Sequence, residues 1–446
     1  MSAFVAATLF LIYLNVPSVL VREHGMPLLF AAAVPLLLAI PIAYRVLLRG
    51  ESLRFPSLLI PTALLLAVQA LSAALADNPA ASFSTVRDWL FEGLVLVFLV
   101  LNAVRSRADV QLAVGAIVAA GAVMGLIVIA QQLAGATDSN LWGFGQLDAE
   151  LGDSEGRVQR RLAGPIGDTN RFAQILAVLL PLAAALAMTA QRHLFRGLFW
   201  LATLLILGGV ALTFSRGALL ALFLALPFAV YLGMLRARQV LVFVALGAVL
   251  LSALPQYLDR IESIGQAARS VLGLTPAGVM GADGATRGRL TEMQAAGLMF
   301  LDRPIVGVGL GMAPVHYAEY ALVVGGKVRP GERRSHNLFL QLAAETGLLG
   351  LAAFMAVLFA AFVPLDRLRR RALDDPAVAV LAAGLELSLV ILITTSMFLH
   401  AAYVRYLWLL LALAGCLVSV QQRPILGTLL NDLLQDTVLR LDQARR

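Results

Sequence analysis

Long apolar runs separated by short polar segments recur along almost the whole chain. Each run holds roughly 18–25 residues, which is enough for a helix to cross a bilayer. This pattern predicts an all-α polytopic membrane protein with about twelve transmembrane helices. The predicted helices cover residues 3–20, 27–48, 57–76, 88–104, 110–134, 171–190, 197–214, 217–234, 239–254, 336–363, 377–399 and 404–420.

Two polar stretches, 135–170 and 255–335, are much longer than the other connections. The chain is therefore divided into helices 1–9 over residues 1–254, a large loop before helix 10 over 255–335, helices 10–12 over 336–421, and a tail over 422–446. In the tail, leucines recur on one helical face. The tail is predicted to form a short amphipathic helix that lies on the inner membrane surface or packs on the bundle.

The arginines are distributed unevenly between the two ends of the predicted bundle. Thirteen lie in even-numbered connections and four in short odd-numbered ones. Because basic residues accumulate in cytoplasmic loops, both termini are predicted to be cytoplasmic. Both long loops then face outward, which in a bacterium is the periplasmic side of the inner (cytoplasmic) membrane. The two sets are Arg45, Arg49, Arg54, Arg105, Arg107, Arg192, Arg196, Arg236, Arg238, Arg367, Arg369, Arg370 and Arg371, and Arg22, Arg87, Arg216 and Arg405.

Composition narrows the classes of protein and of chemistry further. Of all residues, 60% are hydrophobic and 14% are charged, far outside the range of soluble proteins. Cys416 is the single cysteine, so neither an intrachain disulfide nor a cysteine-based metal site is possible. No HExxH motif or carboxylate cluster lies on the outer face, although loop acids such as Asp148 leave a metal role open. We expect no metal, no cofactor and no nucleic acid partner.

Ionisable residues gather on the predicted outer face. An arginine at the edge of a bilayer costs free energy unless it is paired, solvated or extended to the surface, so several on one face indicate an anionic ligand. A guanidinium binds phosphate oxygens through two parallel hydrogen bonds. Arg216 lies in a tight turn between two apolar helices, where it either clamps a phosphate or extends among lipid headgroups. The candidates are Arg161, Arg216, Arg287, Arg289, His316, His336 and His400.

His336 stands where the charged loop meets an apolar helix, with Arg333 and Arg334 shortly before it. A neutral imidazole accepts a proton from a hydroxyl near neutral pH, and neighbouring positive charge favours the neutral form. The alternative is a histidine that caps the helix or lies at the membrane interface. Glu345 follows nine residues later, about 13–14 Å along the helix axis. At that distance it does not orient His336, and we assign it a structural role.

Gly307, Gly309 and Gly311 superficially suggest a phosphate-binding glycine loop. No strand precedes them, no Lys-Ser/Thr follows, and the loop is predicted to face outward, so we reject a nucleotide site. The glycines are instead predicted to let the loop turn closely against the bundle. Earlier in the chain, Thr169 or Asn170 is predicted to cap the helix that begins near residue 171.

Four segments share their order and spacing with a known family. They are Arg161-Leu-Ala-Gly with Gly167-Asp-Thr-Asn170, Ser215-Arg216-Gly217, Arg289 with the Pro304 to Gly311 run, and Ser335-His336-Asn337 with Glu345-Thr-Gly347-Leu-Leu-Gly350. Together they span about 161–350 and resemble the bacterial O-antigen ligase and O-antigen polymerase superfamily. The resemblance implies a fold like that of the C-type glycosyltransferases. It also implies transfer of a glycan from an undecaprenyl-diphosphate-linked donor to an acceptor hydroxyl outside the cytoplasmic membrane.

The resemblance also implies roles for single residues. Arg216 and Arg289 hold the diphosphate, His336 activates the acceptor hydroxyl, and Arg161 is a further donor-side candidate. Arg287 competes with Arg289, which is preferred because its spacing to the glycine run fits better. The acceptor is lipid A-core oligosaccharide in a ligase, another lipid-linked repeat unit in a polymerase, or a protein Ser or Thr. The preferred interpretation is a metal-independent, inverting ligase of lipopolysaccharide synthesis, with membrane lipids around it.

A transporter or flippase for lipid-linked sugars is the alternative from another class. Transporters place ionisable groups near the membrane midplane to couple ions. Such groups are sparse here, chiefly Glu386, whereas polar residues crowd the outer face. This distribution favours an enzyme.

Overall fold

The computed structural model describes residues 1–136, 139–152, 158–253, 284–325, 333, 335–372, 374–399 and 405–421. This part of the chain is mostly helical. The predicted tail helix over 422–446 and His400 lie outside it. The helices before the first long loop are α1 Ser2–Tyr13, α2 Val16–His24, α3 Leu28–Leu36, α4 Ala39–Ala43, α5 Leu59–Ala74, α6 Pro79–Trp89, α7 Leu96–Ala103 and α8 Arg107–Leu133, with π-helical turns at Tyr44–Leu48 and Leu90–Val95.

The remaining elements follow a two-stranded sheet and flank the second long loop. They are β1 Gln146–Gly152, β2 Val158–Gly164, α9 Thr169–Ala177, α10 Leu180–Thr189, α11 His193–Leu212, α12 Arg216–Tyr231, α13 Ala237–Ala253, α14 Gly284–Asp302, α15 Ala313–Val323, α16 Leu338–Arg371, α17 Pro376–Ser396 and α18 Arg405–Gln421. Each of the twelve predicted apolar segments is thus helical, and α14 and α15 lie in the large loop.

Fewer helices than predicted are long and apolar enough to count as membrane spans. Within the described ranges, six helical segments are long and apolar enough to span a bilayer, or seven if the bent pair of α1 and α2 is one span. Twelve crossings are therefore not confirmed. The pair α1 and α2 bends by 49° because Asn15 between them adopts a left-handed conformation, with φ of 63°. Several other apolar helices have 16 or 17 residues and fall just short.

The first long loop contains a two-stranded sheet that was not predicted. Its strands β1 and β2 pair antiparallel, with Asp148 opposite Arg161 and Leu147 opposite Leu162. Leu162 is buried, so the hairpin packs its apolar side on the bundle, where β2 contacts α8 and α9. The hairpin thereby places Arg161 beside the start of α9.

The core is formed by helices that each pack against at least two other helices. Helix α8 packs against α1 and α11, and α16 packs against α5 and α17. Gly125 of α8 lies so close to α11 that an added Cβ would meet the backbone of Leu205. Small residues allow such close backbone approach between membrane helices. Trp89 and Trp408 are buried edge to face, with ring centroids 5.0 Å apart, and connect the π-helical region to α18.

Polar contacts between connecting segments cluster at the two ends of the bundle. Residues of the predicted cytoplasmic connections contact one another, and those of the predicted outer connections do the same. At the first end Arg45 donates to the Ala103 carbonyl, Arg105 pairs with Glu51 and Arg107 pairs with Asp375. At the second end Arg22 donates to the Pro165 carbonyl and Arg405 pairs with Glu92. Which end faces the cytoplasm stays a prediction.

Candidate functional site

The glycine run is fastened to a break in α16. Gly347 interrupts the helix with φ of 63° and ψ of −162°, a conformation that is essentially restricted to glycine. Four backbone hydrogen bonds join the two segments: Val308 N to Ala344 O, Gly309 N to Glu345 O, Leu348 N to Pro304 O, and Leu349 N to Ile305 O. We call this arrangement the glycine clasp.

The two backbones of the clasp are in direct contact. A Cβ on Gly307 would meet the carbonyl group of Glu345, and one on Gly347 would meet that of Ile305, both well inside 3.0 Å. The prediction that the glycines let the loop turn closely against the bundle is confirmed. The clasp holds the end of α14 against the first half of α16.

Glu345 has the structural role that was predicted for it. Its side chain is fully buried and accepts a hydrogen bond from Gln341 at 3.2 Å. Its backbone carbonyl accepts from Gly309 of the clasp and from the Ser72 hydroxyl of α5, at 3.1 and 2.6 Å. The residue therefore joins the clasp to α5.

His336 lies at the entrance to α16. Asn337 caps the helix, since its side-chain oxygen accepts from the backbone N–H of Phe339 and of Leu340, each at 3.0 Å. The Ser335 hydroxyl donates to the Asn337 carbonyl at 3.0 Å. The capping role therefore belongs to Asn337, which leaves the His336 imidazole for other contacts.

A carboxylate from another helix contacts His336. Nδ1 of His336 lies 2.7 Å from Oε2 of Glu292 in α14. The Glu292 side chain is 3% exposed and that of His336 is 27% exposed. The pair thus has a buried acid behind a partly accessible imidazole. Glu292 is not among the predicted site residues, because 44 residues separate it from His336.

Arg289 and Glu292 lie on the same helix, three residues apart. Residues at this spacing are neighbours on one helical face, about 5–6 Å apart at Cβ. Arg289 is therefore placed one turn from the residue that contacts His336. Position 287 lies about 200° around the helix from Arg289. This register supports the preference for Arg289; the side chain of Arg287 lies outside the described part of the structure.

A second cluster surrounds the turn before α12. Arg161 Nε donates to the Thr213 carbonyl at 3.0 Å, and its terminal nitrogen donates to Asn170 Oδ1 at 3.2 Å. The Ser215 hydroxyl donates to the same Asn170 oxygen at 3.0 Å. Arg161 is 9% exposed and Arg216, the first residue of α12, is partly exposed. The structure therefore brings two predicted phosphate ligands to one turn.

The predicted cap of α9 is wrong. Asp168 is the N-cap, and its side chain accepts from the Arg171 backbone N–H at 2.9 Å. Thr169 instead binds Asp148 of β1 through its backbone N–H and its hydroxyl, at 3.0 and 2.6 Å. Asn170 is thereby available to Arg161 and the Ser215 turn. Aspartate and asparagine are equally good caps, so the sequence alone did not separate them.

Both clusters lie at the same end of the bundle. Helices α16 and α17 pack against each other across a short connection, and because α17 has 21 residues and α16 has 34, the end of α17 lies at about the level of residue 351. The start of α16 folds back towards this level at the Gly347 break, since the rings of Phe339 and Phe354 lie 6.3 Å apart, whereas a straight helix would separate them by about 22 Å. The end of α17 contacts the second cluster's helices: Gln174 of α9 donates to the hydroxyls of Thr395 and Ser396, and a Cβ on Gly217 would meet Phe398 at 3.5 Å. His336 therefore shares an end with Arg216.

The competing histidines have other surroundings. His316 of α15 lies 3.5 Å from Asp77, which also accepts from Arg303 at 2.9 Å. The Arg303 guanidinium holds the pKa of the Asp77 carboxyl below its usual value, and His316 adds to this effect. His316 thus belongs to a surface contact between the α5–α6 connection and the glycine run. His400 lies outside the described residues.

Two further observations concern metals and ion coupling. Among the described residues, no group of three or more His, Cys, Asp or Glu could hold a metal ion. Glu386 of α17, the candidate coupling group of a transporter, is 3% exposed and pairs with Arg369 at 3.2 Å. The carboxylate is thus engaged by the charged end of α16.

Comparison with known proteins agrees with this arrangement. A family model described as "O-Antigen ligase" matches residues 201–355, about a third of the chain. The segment contains Arg216, Arg289, Glu292, the glycine clasp and His336, while Arg161 lies outside it. No curated protein matches the chain. The match and the apolar helices support a multi-pass membrane protein with a role in glycan transfer, in O-antigen ligation or a related reaction. The predicted resemblance is confirmed: over residues 201–355 the chain matches the O-antigen ligase family, within the O-antigen ligase and polymerase superfamily.

Proposed function

We propose that the protein transfers a glycan from an undecaprenyl-diphosphate carrier to lipid A-core oligosaccharide at the periplasmic face of the bacterial inner membrane, with both termini in the cytoplasm. The proposal rests chiefly on the contact between α14 and the start of α16. This contact places the imidazole of His336 about one helical turn from Arg289. The proposed proton acceptor at the start of α16 and the proposed phosphate ligand on α14 thus lie close together, because the glycine clasp joins the two helices.

The donor's diphosphate is held by arginines. Arg289 and Arg216 provide fixed positive charge at one end of the bundle, and Arg161 lies behind the Arg216 turn. Departure of the carrier diphosphate places negative charge on its phosphate oxygens. Guanidinium groups that are already in position stabilise this charge without reorganisation, so the departure needs no metal ion.

The acceptor hydroxyl is activated by His336. An alcohol is a poor nucleophile until its proton is removed, and an imidazole accepts a proton in the physiological pH range. The acceptor oxygen then attacks the anomeric carbon on the face opposite to the diphosphate. This geometry inverts the configuration at that carbon.

A reconstituted transfer assay tests the function. Purified protein in proteoliposomes, with chelator present, receives an undecaprenyl-diphosphate-linked glycan and one of three acceptors: lipid A-core, a second lipid-linked repeat unit, or a Ser/Thr-rich peptide. We expect glycan on lipid A-core, and a loss of at least about 100-fold in His336→Asn and Arg289→Lys. The matched controls His316→Asn and Arg405→Lys retain the parent rate.

Each other outcome overturns part of the proposal. Longer lipid-linked chains indicate a polymerase, and a glycosylated peptide indicates a protein transferase. Transfer that persists in His336→Asn removes the general base. If no acceptor is modified but the glycolipid crosses the bilayer, the protein is a transporter.

A further inference from the structure

The carboxylate of Glu292 is buried where a charge is costly. Its side chain is 3% exposed, and a buried carboxylate requires a partner that compensates for lost hydration. The contact that the structure gives it is Nδ1 of His336 at 2.7 Å, the length of a charge-assisted hydrogen bond. Removing either side chain would leave the other without this partner. The pair is therefore a single unit built from α14 and α16.

Rigid backbone on both sides fixes the contact. The Asn337 cap and the Ser335 hydrogen bond hold the chain around His336. The clasp at Gly307 and Gly347 holds the end of α14 against α16. Neither partner needs to reorganise for the hydrogen bond to form. This is the arrangement by which a catalytic imidazole is held in one orientation and one tautomer.

We propose that Glu292 is a positioning residue for the general base His336. It accepts the Nδ1–H hydrogen bond, so that the neutral imidazole carries its proton on Nδ1 and presents the lone pair of Nε2 to the acceptor hydroxyl. This inference rests on the function proposed above. It adds a residue that contacts neither substrate and acts through the orientation and tautomer of the histidine.

The transfer step then has a defined course for each proton and bond. Nε2 of His336 takes the acceptor's hydroxyl proton, and the acceptor oxygen forms a bond to the anomeric carbon. The bond from that carbon to the phosphate oxygen breaks, and undecaprenyl diphosphate departs with the electron pair. Glu292 remains a carboxylate and faces the imidazolium. The imidazolium later releases its proton to water, which restores the starting tautomer.

Substitutions at Glu292 distinguish a role in orienting the His336 imidazole from a role in protein stability alone. In Glu292→Gln an amide of the same shape can donate to Nδ1 as well as accept from it, so the side chain no longer holds the ring proton on Nδ1. We expect kcat to fall at least about 10-fold, because the carboxylate that orients the general base is lost, with the KM for the lipid-linked donor within about twofold of the parent. Glu292→Asp keeps the charge and restores part of kcat. Glu319→Gln, which alters an exposed acid on α15, is the matched control and leaves kcat unchanged.

Nitrogen NMR of protein labelled at the imidazole rings reports the tautomer directly, with the His336 signals assigned by their loss in His336→Asn. We expect a protonated Nδ1 in the parent and a larger share of protonated Nε2 in Glu292→Gln. A parent protein with the proton on Nε2 would overturn the inference, and this measurement needs only His336→Asn, whose fold is checked by thermal unfolding, for the assignment. An unchanged kcat in folded Glu292→Gln would overturn it as well.

The two proposals fail separately. If His336→Asn abolishes transfer while folded Glu292→Gln retains the parent kcat, the general base stands and the positioning role does not. If His336→Asn retains transfer, the proposed mechanism itself is lost.

Discussion

The glycine clasp permits one substitution whose effect follows directly from the structure. In Gly347→Ala the new methyl group would lie against the Ile305 carbonyl, well inside 3.0 Å, so loop and helix must separate. A non-glycine residue at φ of 63° and ψ of −162° costs about 1–3 kcal/mol. Separation also weakens four backbone hydrogen bonds, each contributing about 0.5–1.5 kcal/mol net. We expect a loss of stability of at least about 3 kcal/mol if all four break.

Activity should fall further than stability alone explains. The clasp fixes α14 relative to α16 and thus Glu292 and Arg289 relative to His336. A displacement of about 1 Å in a catalytic arrangement can cost about 100-fold in rate. The assay compares transfer at a temperature where parent and variant are both folded, as judged by thermal unfolding in detergent.

Two control variants isolate the causes. Gly297→Ala changes a glycine in the middle of α14 around which a Cβ has open space, so it should be neutral or stabilising by up to about 1 kcal/mol. Gly325→Ala adds the strain of a φ of 68° without a close neighbour. If Gly347→Ala unfolds and transfers like Gly297→Ala, the clasp does not position the site, and the reasoning is refuted.

Three further outcomes are expected. Asn337→Ala removes the cap of the helix that follows His336 and should lower stability by about 0.5–2 kcal/mol, with Asn337→Asp close to the parent in thermal unfolding. Asn170→Ala removes the acceptor of Arg161 and should lower stability by about 1–3 kcal/mol and reduce transfer, whereas an unchanged transfer rate would exclude a role for this contact. Burial and the hydrogen bond to Asp302 raise the pKa of Tyr320 to about 12, so its contribution is complete below the unfolded pKa near 10 and is lost as the pH rises towards 12. The difference in melting temperature between the parent and Tyr320→Phe should therefore shrink across that range.

Local pattern accounts for much of the architecture. Apolar runs placed all twelve helical segments, because a membrane helix must be apolar over most of its length. Hairpin formation in the first long loop was not predicted, since strand pairing depends on residues brought together across a turn. The number of crossings could not be predicted from local pattern either. Asn15 divides one apolar run into two helices, and several other helices end just short of the length of a full span.

The residue types of the site were predictable, but most of their partners were not. Arg216 and His336 stand out because a charge at the start of an apolar helix is costly unless it is paired or solvated. Arg289 stands out through the resemblance of its segment to the O-antigen ligase superfamily. The close approach of the glycine run to the bundle was also predictable, because only glycine tolerates it. Glu292 resembles any other acid in a helical loop. The predicted cap of α9 was Thr169 or Asn170, but Asp168 fulfils this role.

The sequence by itself determined the class of protein, the positions of its helices, and the residues that carry charge at their ends. These features depend on short stretches of chain and on the cost of polar groups in a bilayer. The tertiary structure decided which of these residues contact one another. Glu292 contacts His336, which is 44 residues away in the sequence. Arg161 contacts Thr213, which is 52 residues away in the turn before Arg216. Such pairings depend on how helices pack, which no local pattern records.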